Sequence, residues 1–301
     1  MKTLDIQYCK GADIFLLKLT SGSAPPWLKI FSLIHDIGAD SDRTIHAVEE
    51  LLTYPKNTIR SLVLCLRNAP HLPNINAIRA HGATLRRLLL DIGPKGRSND
   101  PNHKLVYDTG KFLSLLRTCS SLKELGITFP AVLLEYNNFA QEAGELRVWV
   151  EAVASKLKLA TLNIINWPTG YNANQSLGYY ASKTPQLARV AADIFRRHRQ
   201  YDRDNETFVT SELKCTLEVV AFGVREQGPY TISPCYFMQS EVSVLGKKRL
   251  HAEAVTLKAL QDEDLNTAVL GYEARDFDEQ SRWNFHVNAG WNGGQVQNGG
   301  W

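Results

Sequence analysis

The sequence predicts an α/β protein built as an irregular leucine-rich-repeat solenoid. Parallel strands are expected to line the concave face, helices to lie outside, and a C-terminal β-hairpin to form a cap. Two observations support this prediction. A Leu-x-x-Leu-x-Leu spacing recurs in seven copies along the chain, and segments with helical spacing of apolar residues separate most of these copies. One such strand cannot bury its apolar face alone, so recurring copies are typical of stacked repeats.

The strand motif predicts which side chains face the core. Side chains alternate between the two faces of a strand, so the fourth and sixth residues of each copy point to the same side. In the copy that begins at Leu85, these residues are Leu88 and Leu90. The copy that begins at Leu28 is the weakest early one and is also compatible with a helix. The copies are unequally spaced, whereas regular repeats run roughly 20 to 29 residues. Their first, fourth and sixth residues are Met1/Leu4/Ile6, Leu28/Phe31/Leu33, Ile59/Leu62/Leu64, Leu85/Leu88/Leu90, Leu122/Leu125/Ile127, Leu159/Leu162/Ile164 and Leu217/Val220/Phe222.

Helix-like segments alternate with these strands from residue 42 onward. Asp108 is a candidate N-cap, because its side chain can accept a hydrogen bond from an early backbone N–H of the following segment. Pro73 suits a first helical position, and Gly82 suits the end of the same short helix. The apolar residues at helical spacing are Ile45/Val48/Leu51/Leu52, Phe112/Leu115/Leu116/Cys119, Leu146/Trp149/Val150/Val153/Leu157 and Leu187/Val190/Ala191/Ile194.

The chain divides into three parts. Residues 1–225 form the predicted solenoid, residues 226–287 form a capping segment, and residues 288–301 lack apolar periodicity and are predicted to be a disordered tail. Within the capping segment, residues 241–245 and 249–257 flank a Gly-Lys-Lys turn. They predict a hairpin that closes the open end of the sheet.

Two inserts, residues 93–104 and 167–183, directly follow predicted strands. In a solenoid, such loops project from one edge and often help to form the binding surface. They are equally compatible with tolerated surface loops, because lengthening a loop costs little free energy.

Composition and charge exclude several classes of function. With 301 residues, of which 44% are hydrophobic, the chain can bury a sizeable core. Its net charge of +3 leaves no broad field for nucleic acid or an acidic membrane. Its 5 cysteines form no Cys-x-x-Cys pair, so we expect reduced, mostly buried thiols, no disulfide framework and no metal site.

The N-terminus bears on localisation. Asp5 lies within what would be the apolar region of a signal peptide, and no apolar run reaches the roughly 20 residues of a membrane helix. We therefore expect a cytoplasmic or nuclear protein. Because the first strand begins at Met1 without a polar capping segment, the array is expected to be the later part of a longer protein.

One short motif suggests an enzyme. Tyr179 and Lys183 form a Tyr-x-x-x-Lys pattern that resembles the active-site segment of short-chain dehydrogenases. The resemblance would imply that Tyr179 is the acid/base and that Lys183 lowers its pKa. The N-terminal segment lacks the Gly-rich turn that a nicotinamide cofactor requires, so this oxidoreductase is the alternative to a binding protein.

The repeats carry a second resemblance. The motifs Ile59-Arg60-Ser61-Leu62-Val63-Leu64, Leu122-Lys123-Glu124-Leu125-Gly126-Ile127 and Leu159-Ala160-Thr161-Leu162-Asn163-Ile164 alternate with amphipathic helices over residues 28–225. This arrangement resembles the leucine-rich-repeat region of fungal F-box proteins. The resemblance implies that the repeats hold a substrate, while an F-box module docks on a ubiquitin-ligase adaptor. No Leu-Pro-x-Glu-type helical module precedes the first repeat here.

The function expected from these observations is a non-catalytic protein–protein interaction domain without a cofactor. Substrate recognition in an F-box-type ubiquitin ligase is its most specific form, and a structural scaffold unrelated to ubiquitin transfer is a further alternative. The third, fifth and seventh residues of each copy face outward on the concave side, where an extended surface is available to a protein partner. The predicted partner-binding residues are Arg87, Leu89, Asp91, Glu124, Thr128, Thr161, Asn163 and Ile165.

Overall fold

The described part of the chain forms one open sheet of nine strands with helices packed against it. The structure is a computed structural model. It describes residues 2–21, 27–36, 41–53, 57–94, 105–129, 144–156, 158–165, 187–200, 216–223, 225–227, 234–244, 247–265, 268–271 and 273–275.

Seven strands are parallel and lie side by side in sequence order. They are β1 (Thr3–Gln7), β2 (Ile30–Asp36), β3 (Ser61–Ala69), β4 (Arg87–Pro94), β5 (Glu124–Ile127), β6 (Thr161–Ile164) and β7 (Val219–Phe222). A hairpin extends the sheet beyond β7: β9 (Cys235–Val244) pairs antiparallel with β7, and β10 (Lys247–Val255) with β9. The residues predicted to form a hairpin fall in β9, in β10 and just beyond each. A separate parallel pair joins β8 (Arg225–Gln227) to β11 (Glu273–Arg275).

Helices connect the parallel strands. They are α1 (Ala12–Ser21), α2 (Ser41–Thr53), α3 (Ile75–Arg79), α4 (Thr109–Thr118), α5 (Gly144–Ala154) and α6 over residues 187–200. Two short helices, α7 (Leu257–Asp262) and α8 (Ala268–Gly271), follow the hairpin. The predicted N-cap is confirmed, since the Asp108 side chain accepts a hydrogen bond from the Lys111 backbone N–H at 2.8 Å. The short helix α3 begins after an Asn74 cap, slightly later than Pro73 predicted.

Each repeat copy is joined to the preceding one by the same backbone hydrogen bond. The N–H of the second residue of a copy donates to the carbonyl oxygen of the second residue of the copy before it, at 2.7 or 2.8 Å. The N–H of the third residue donates to the same oxygen at 3.0 or 3.1 Å. We call this series the position-two ladder. Its residues are Lys2, Lys29, Arg60, Arg86, Lys123, Ala160 and Glu218.

The ladder aligns the core-facing residues of neighbouring strands. Leu62 pairs with Leu88, and Leu88 with Leu125, so the fourth residues of the copies form a continuous buried row. Apolar residues of helices α1, α2, α4, α5 and α6 join the same hydrophobic cluster, which places these helices on one face of the sheet. The copy that begins at Leu28 is a strand, not a helix. The structure thus confirms an α/β fold with a mostly parallel open sheet, and this arrangement is compatible with a solenoid.

Stacked aromatic rings fill the core between α4 and α5. Phe112 and Trp149 lie parallel with ring centroids 3.6 Å apart, and Phe129 contacts Trp149 edge-on. The Trp149 indole N–H donates to the hydroxyl oxygen of Thr109 at 3.0 Å, so burial leaves its polar atom paired.

A buried histidine links three neighbouring segments. His81 Nδ1 accepts hydrogen bonds from the backbone N–H groups of Thr58 and Ile59 at 3.3 and 3.4 Å. Its Nε2 therefore carries the proton and donates to the Leu52 carbonyl oxygen at 2.8 Å. Burial lowers the pKa of His81, while the bond to Leu52 opposes that shift. A proton added at Nδ1 would face two donors, so the neutral ring is the form that fits.

This arrangement predicts a loss of stability in mild acid. Below the ordinary histidine pKa of about 6.5, the unfolded chain binds a proton that folded His81 resists, so the free energy of unfolding falls as pH decreases. Urea denaturation across pH 7.5 to 5.5 measures the effect. His81→Gln should lower the free energy of unfolding by about 1–3 kcal/mol at pH 7.5. Below pH 6.5, the free energy of unfolding of this variant should decrease less steeply than that of the unsubstituted protein. An identical pH dependence in both proteins would contradict the prediction.

Candidate protein-binding face

The side chains that alternate with the core row point to the face of the sheet opposite helices α1–α6. We call it the opposite face. In β4, for example, Leu88 and Leu90 join the main core, whereas Leu89 belongs to a separate cluster on the other side. The predicted partner-binding residues all occupy such alternate positions.

The opposite face of the central strands is covered by the chain's own C-terminal part. Helix α8 packs against β4, β5 and β6, and its Val269 is completely buried with Leu89 and Ile165. Next to it, Leu260 of α7 packs with Val219 and other residues of β7 and β9. We call the opposite face from β4 to β7 the covered sector.

A hydrogen bond and a close approach of the backbone fix α8 on the sheet, in addition to its apolar contacts. The Asn163 side-chain amide Nδ2 donates to the Val269 carbonyl oxygen at 2.8 Å, and both groups are buried. Gly126, directly beneath, leaves room for the helix: a Cβ there would lie 2.7 Å from Val269 Cγ1 and would collide with Leu89 Cδ1. The glycine therefore permits the close approach of α8 to β5.

The covered sector also contains buried oxygens that α8 does not satisfy. Within the described residues, Thr128 Oγ1 and Asn163 Oδ1 have no hydrogen-bond partner. A buried polar atom without a partner costs free energy. The contact between α8 and the sheet is therefore well packed in its apolar part and incomplete in its polar part.

An ion pair lies at the rim of the covered sector. Arg87 Nε and Nη2 donate to Glu124 Oε2 and Oε1 at 2.6 and 2.8 Å, across the neighbouring strands β4 and β5. The two side chains remain 31% and 16% exposed, respectively. The planar guanidinium matches the carboxylate in a two-point geometry, so the two residues position each other in this chain.

The structure thus places six of the eight predicted partner-binding residues beneath other parts of the chain. The remaining two, Arg87 and Glu124, are partly exposed and paired with each other. Covering by α7 and α8 was not predicted from the sequence. The buried six are Leu89, Asp91, Thr128, Thr161, Asn163 and Ile165.

The opposite face is open at its amino-terminal end. Ile30 on β2 is 39% exposed although it is aliphatic, and polar residues surround it. We call this region the uncovered sector. Like Arg87, its residues occupy the third, fifth or seventh position of a copy, here of the first two copies. The uncovered sector consists of Thr3, Asp5, Gln7, Ile30 and Ser32, whereas Ile34 packs against the cluster that contains Val269.

Several predicted features lie outside the described residues. These are Tyr179 and Lys183, most of the insert at 93–104, the whole insert at 167–183 and the tail at 288–301. Among the described residues, no group of His, Cys, Asp and Glu could hold a metal ion, and no helix is long and apolar enough to cross a membrane. The described cysteines form no disulfide, and burial raises the pKa of the Cys119 thiol to about 11.

The close approach at Gly126 predicts a non-additive pair of substitutions. Gly126→Ala should lower the free energy of unfolding by about 1–3 kcal/mol, because its Cβ overpacks the contacts with Leu89 of β4 and Val269 of α8. Adding Val269→Ala removes Cγ1, so the double variant should lose less than the sum of the two single variants. Denaturant unfolding measures both effects.

Gly93→Ala in β4 is the matched control. A Cβ at Gly93 would meet its nearest neighbour only at 3.9 Å, so this substitution should change stability little. Strict additivity of Gly126→Ala and Val269→Ala would contradict the seating of α8 over Gly126.

Comparisons of the chain with protein-family models, with curated proteins and with solved structures found no match. The uncovered sector of the opposite face is therefore assigned as the candidate binding site on its geometry alone.

Proposed function

We propose that this chain is a non-catalytic protein-interaction domain of leucine-rich-repeat type whose uncovered sector binds a protein partner. One observation carries the proposal. Seven parallel strands follow each other in sequence order with helices α1–α6 on one face, and no described helix covers the opposite face of β1 and β2, where Ile30 is exposed.

The sheet topology favours this function over the oxidoreductase. Dinucleotide-binding folds place the helices that connect their parallel strands on both faces and bind their cofactor where the strand order reverses. The strands described here have no such reversal from β1 to β7. The sequence order of these strands, with one face of the sheet packed by helices, is the arrangement expected of stacked strand–helix repeats.

The chemistry of the uncovered sector suits a specific protein contact. Its exposed aliphatic centre, Ile30, is surrounded by the hydroxyl of Thr3, the carboxylate of Asp5 and the hydroxyl of Ser32. Protein interfaces combine an apolar centre with a polar rim in this way. A partner would place an apolar side chain on Ile30 and hydrogen-bond donors near Asp5.

The finer proposal is substrate recognition in an F-box-type ubiquitin ligase of the cytoplasm or nucleus. It rests on the repeat motifs of residues 28–225, and it requires an adaptor-binding module joined to this domain. A scaffold unrelated to ubiquitin transfer would use the same face. The two differ in whether a ubiquitin-ligase adaptor is recovered with the full-length protein.

If the uncovered sector binds the partner, a single substitution at its apolar centre should strongly reduce partner capture. Ile30→Arg places a charge at the apolar centre and should reduce capture of specific partners from cell extract by at least about tenfold, because desolvating that charge opposes binding. Quantitative mass spectrometry after affinity purification measures the loss and also reports any ubiquitin-ligase adaptor.

Ile14→Arg is the matched control. Ile14 on α1 is the same residue type with a similar exposure of 44%, but it lies on the helix side of the sheet. Partners that depend on the uncovered sector should survive Ile14→Arg and be lost with Ile30→Arg, while circular dichroism stays unchanged. Equal capture by both variants would rule out the uncovered sector as the binding site.

A further inference from the structure

We propose that the edge of the sheet where the parallel strands begin binds an acidic peptide segment, through a row of five basic side chains. This site goes beyond the proposed function, because it lies along the strand starts and not on the opposite face. We call it the basic row. It consists of Lys2, Lys29, Arg60, Arg86 and Lys123.

The position-two ladder builds the basic row. In this ladder, the backbone N–H of each of the last four residues donates to the carbonyl oxygen of the row member before it. The five residues therefore lie side by side. Neighbouring strands are about 4.8 Å apart, so the row spans about 19 Å. Four of the side chains are exposed and that of Lys29 is half-buried. A regular stripe of positive charge thus faces solvent.

Folding does not require this charge. The ladder is made of backbone groups, and its last two members are Ala160 and Glu218, which form the same hydrogen bonds. Like charges on neighbouring strands repel each other. Within the part of the chain that the structure describes, no acidic side chain pairs with any of the five. No described residue therefore compensates this repulsion, as expected where a separate anionic molecule supplies the counter-charge.

The spacing of the row suits an acidic helix. Carboxylates placed every three or four residues along a helix lie about 5–6 Å apart on one side of it, close to the spacing of the strands. Trp27, which is 45% exposed, precedes Lys29 by two residues and offers an apolar contact beside the charges. An amphipathic helix with acidic and apolar residues on adjoining faces would match both features.

A peptide is favoured over nucleic acid by the charge distribution. Nonspecific nucleic-acid binding depends on many phosphate contacts over a broad positive surface. Here the net charge is only +3, and the basic row is one residue wide.

Fluorescence anisotropy with the full chain tests the proposal. The probe is a labelled amphipathic peptide of about 18 residues with Glu at every third or fourth position, long enough at 1.5 Å per residue to span the row. A peptide with Gln in place of Glu is the negative probe. The Glu peptide should bind more tightly, and its affinity should fall as salt is raised because exposed charges are screened.

Two double variants with the same change in net charge localise the site. Arg60→Gln with Arg86→Gln removes the centre of the row and should weaken binding of the Glu peptide about fivefold or more. Lys18→Gln with Arg117→Gln removes two exposed charges from helices α1 and α4 and should change the affinity less than about twofold. Circular dichroism checks that both variants fold.

Three outcomes would overturn the proposal. The Gln peptide could bind as tightly as the Glu peptide, or both double variants could lose affinity equally. A labelled oligonucleotide could bind more tightly than the Glu peptide and depend on Arg60 and Arg86, which would assign the row to nucleic acid instead. The Ile30→Arg experiment does not involve the row, so failure here leaves the proposed function to its own test.

Discussion

The position-two ladder is the constraint on which the arrangement of this protein depends. Each copy of the motif is tied to the one before it by a backbone hydrogen bond from the same position, with almost the same length each time. The bond sets the register of each strand pair. Because a shift of one residue would turn every side chain to the other face, this register is what brings Leu62, Leu88 and Leu125 into one buried row. Helices then cover that row.

The two faces of the sheet are stabilised differently. The helix side is a single continuous cluster, whereas the opposite face holds two small clusters completed by α7 and α8. On the opposite face, Asn163 gives its amide to a backbone carbonyl 106 positions along the chain, and Gly126 makes room for Val269. Among the described residues of this face, Thr128 Oγ1 and Asn163 Oδ1 have no hydrogen-bond partner. We therefore expect the contact of α7 and α8 with the sheet to open more readily than the core on the helix side.

The sequence predicted the repeated part of the fold well, because its pattern is local. Alternation within six residues identified the strands, and Asp108 could be recognised as a cap from its immediate neighbours. The seat of α8 could not be predicted in the same way. Its four residues have no periodicity, and its contacts with Gly126 and Asn163 join distant parts of the chain. The eight predicted partner-binding residues therefore lie on the opposite face, but the sequence could not tell which copies would be covered.

The basic row, like the seat of α8, could be recognised only from the structure. The second residue of each copy was not selected from the sequence, since a lysine or arginine before a strand is usually a solvated surface residue. Its significance appears only when the ladder sets five such residues side by side. The fourth and sixth positions cannot change without a loss of core, whereas the second contributes only backbone atoms to the ladder and can carry side chains as different as those of Arg60, Ala160 and Glu218, with proline excluded because it has no N–H to donate. Position two and the uncovered sector meet at β2, where Lys29 and Ile30 are consecutive. The two proposed binding sites therefore adjoin each other on the amino-terminal strands.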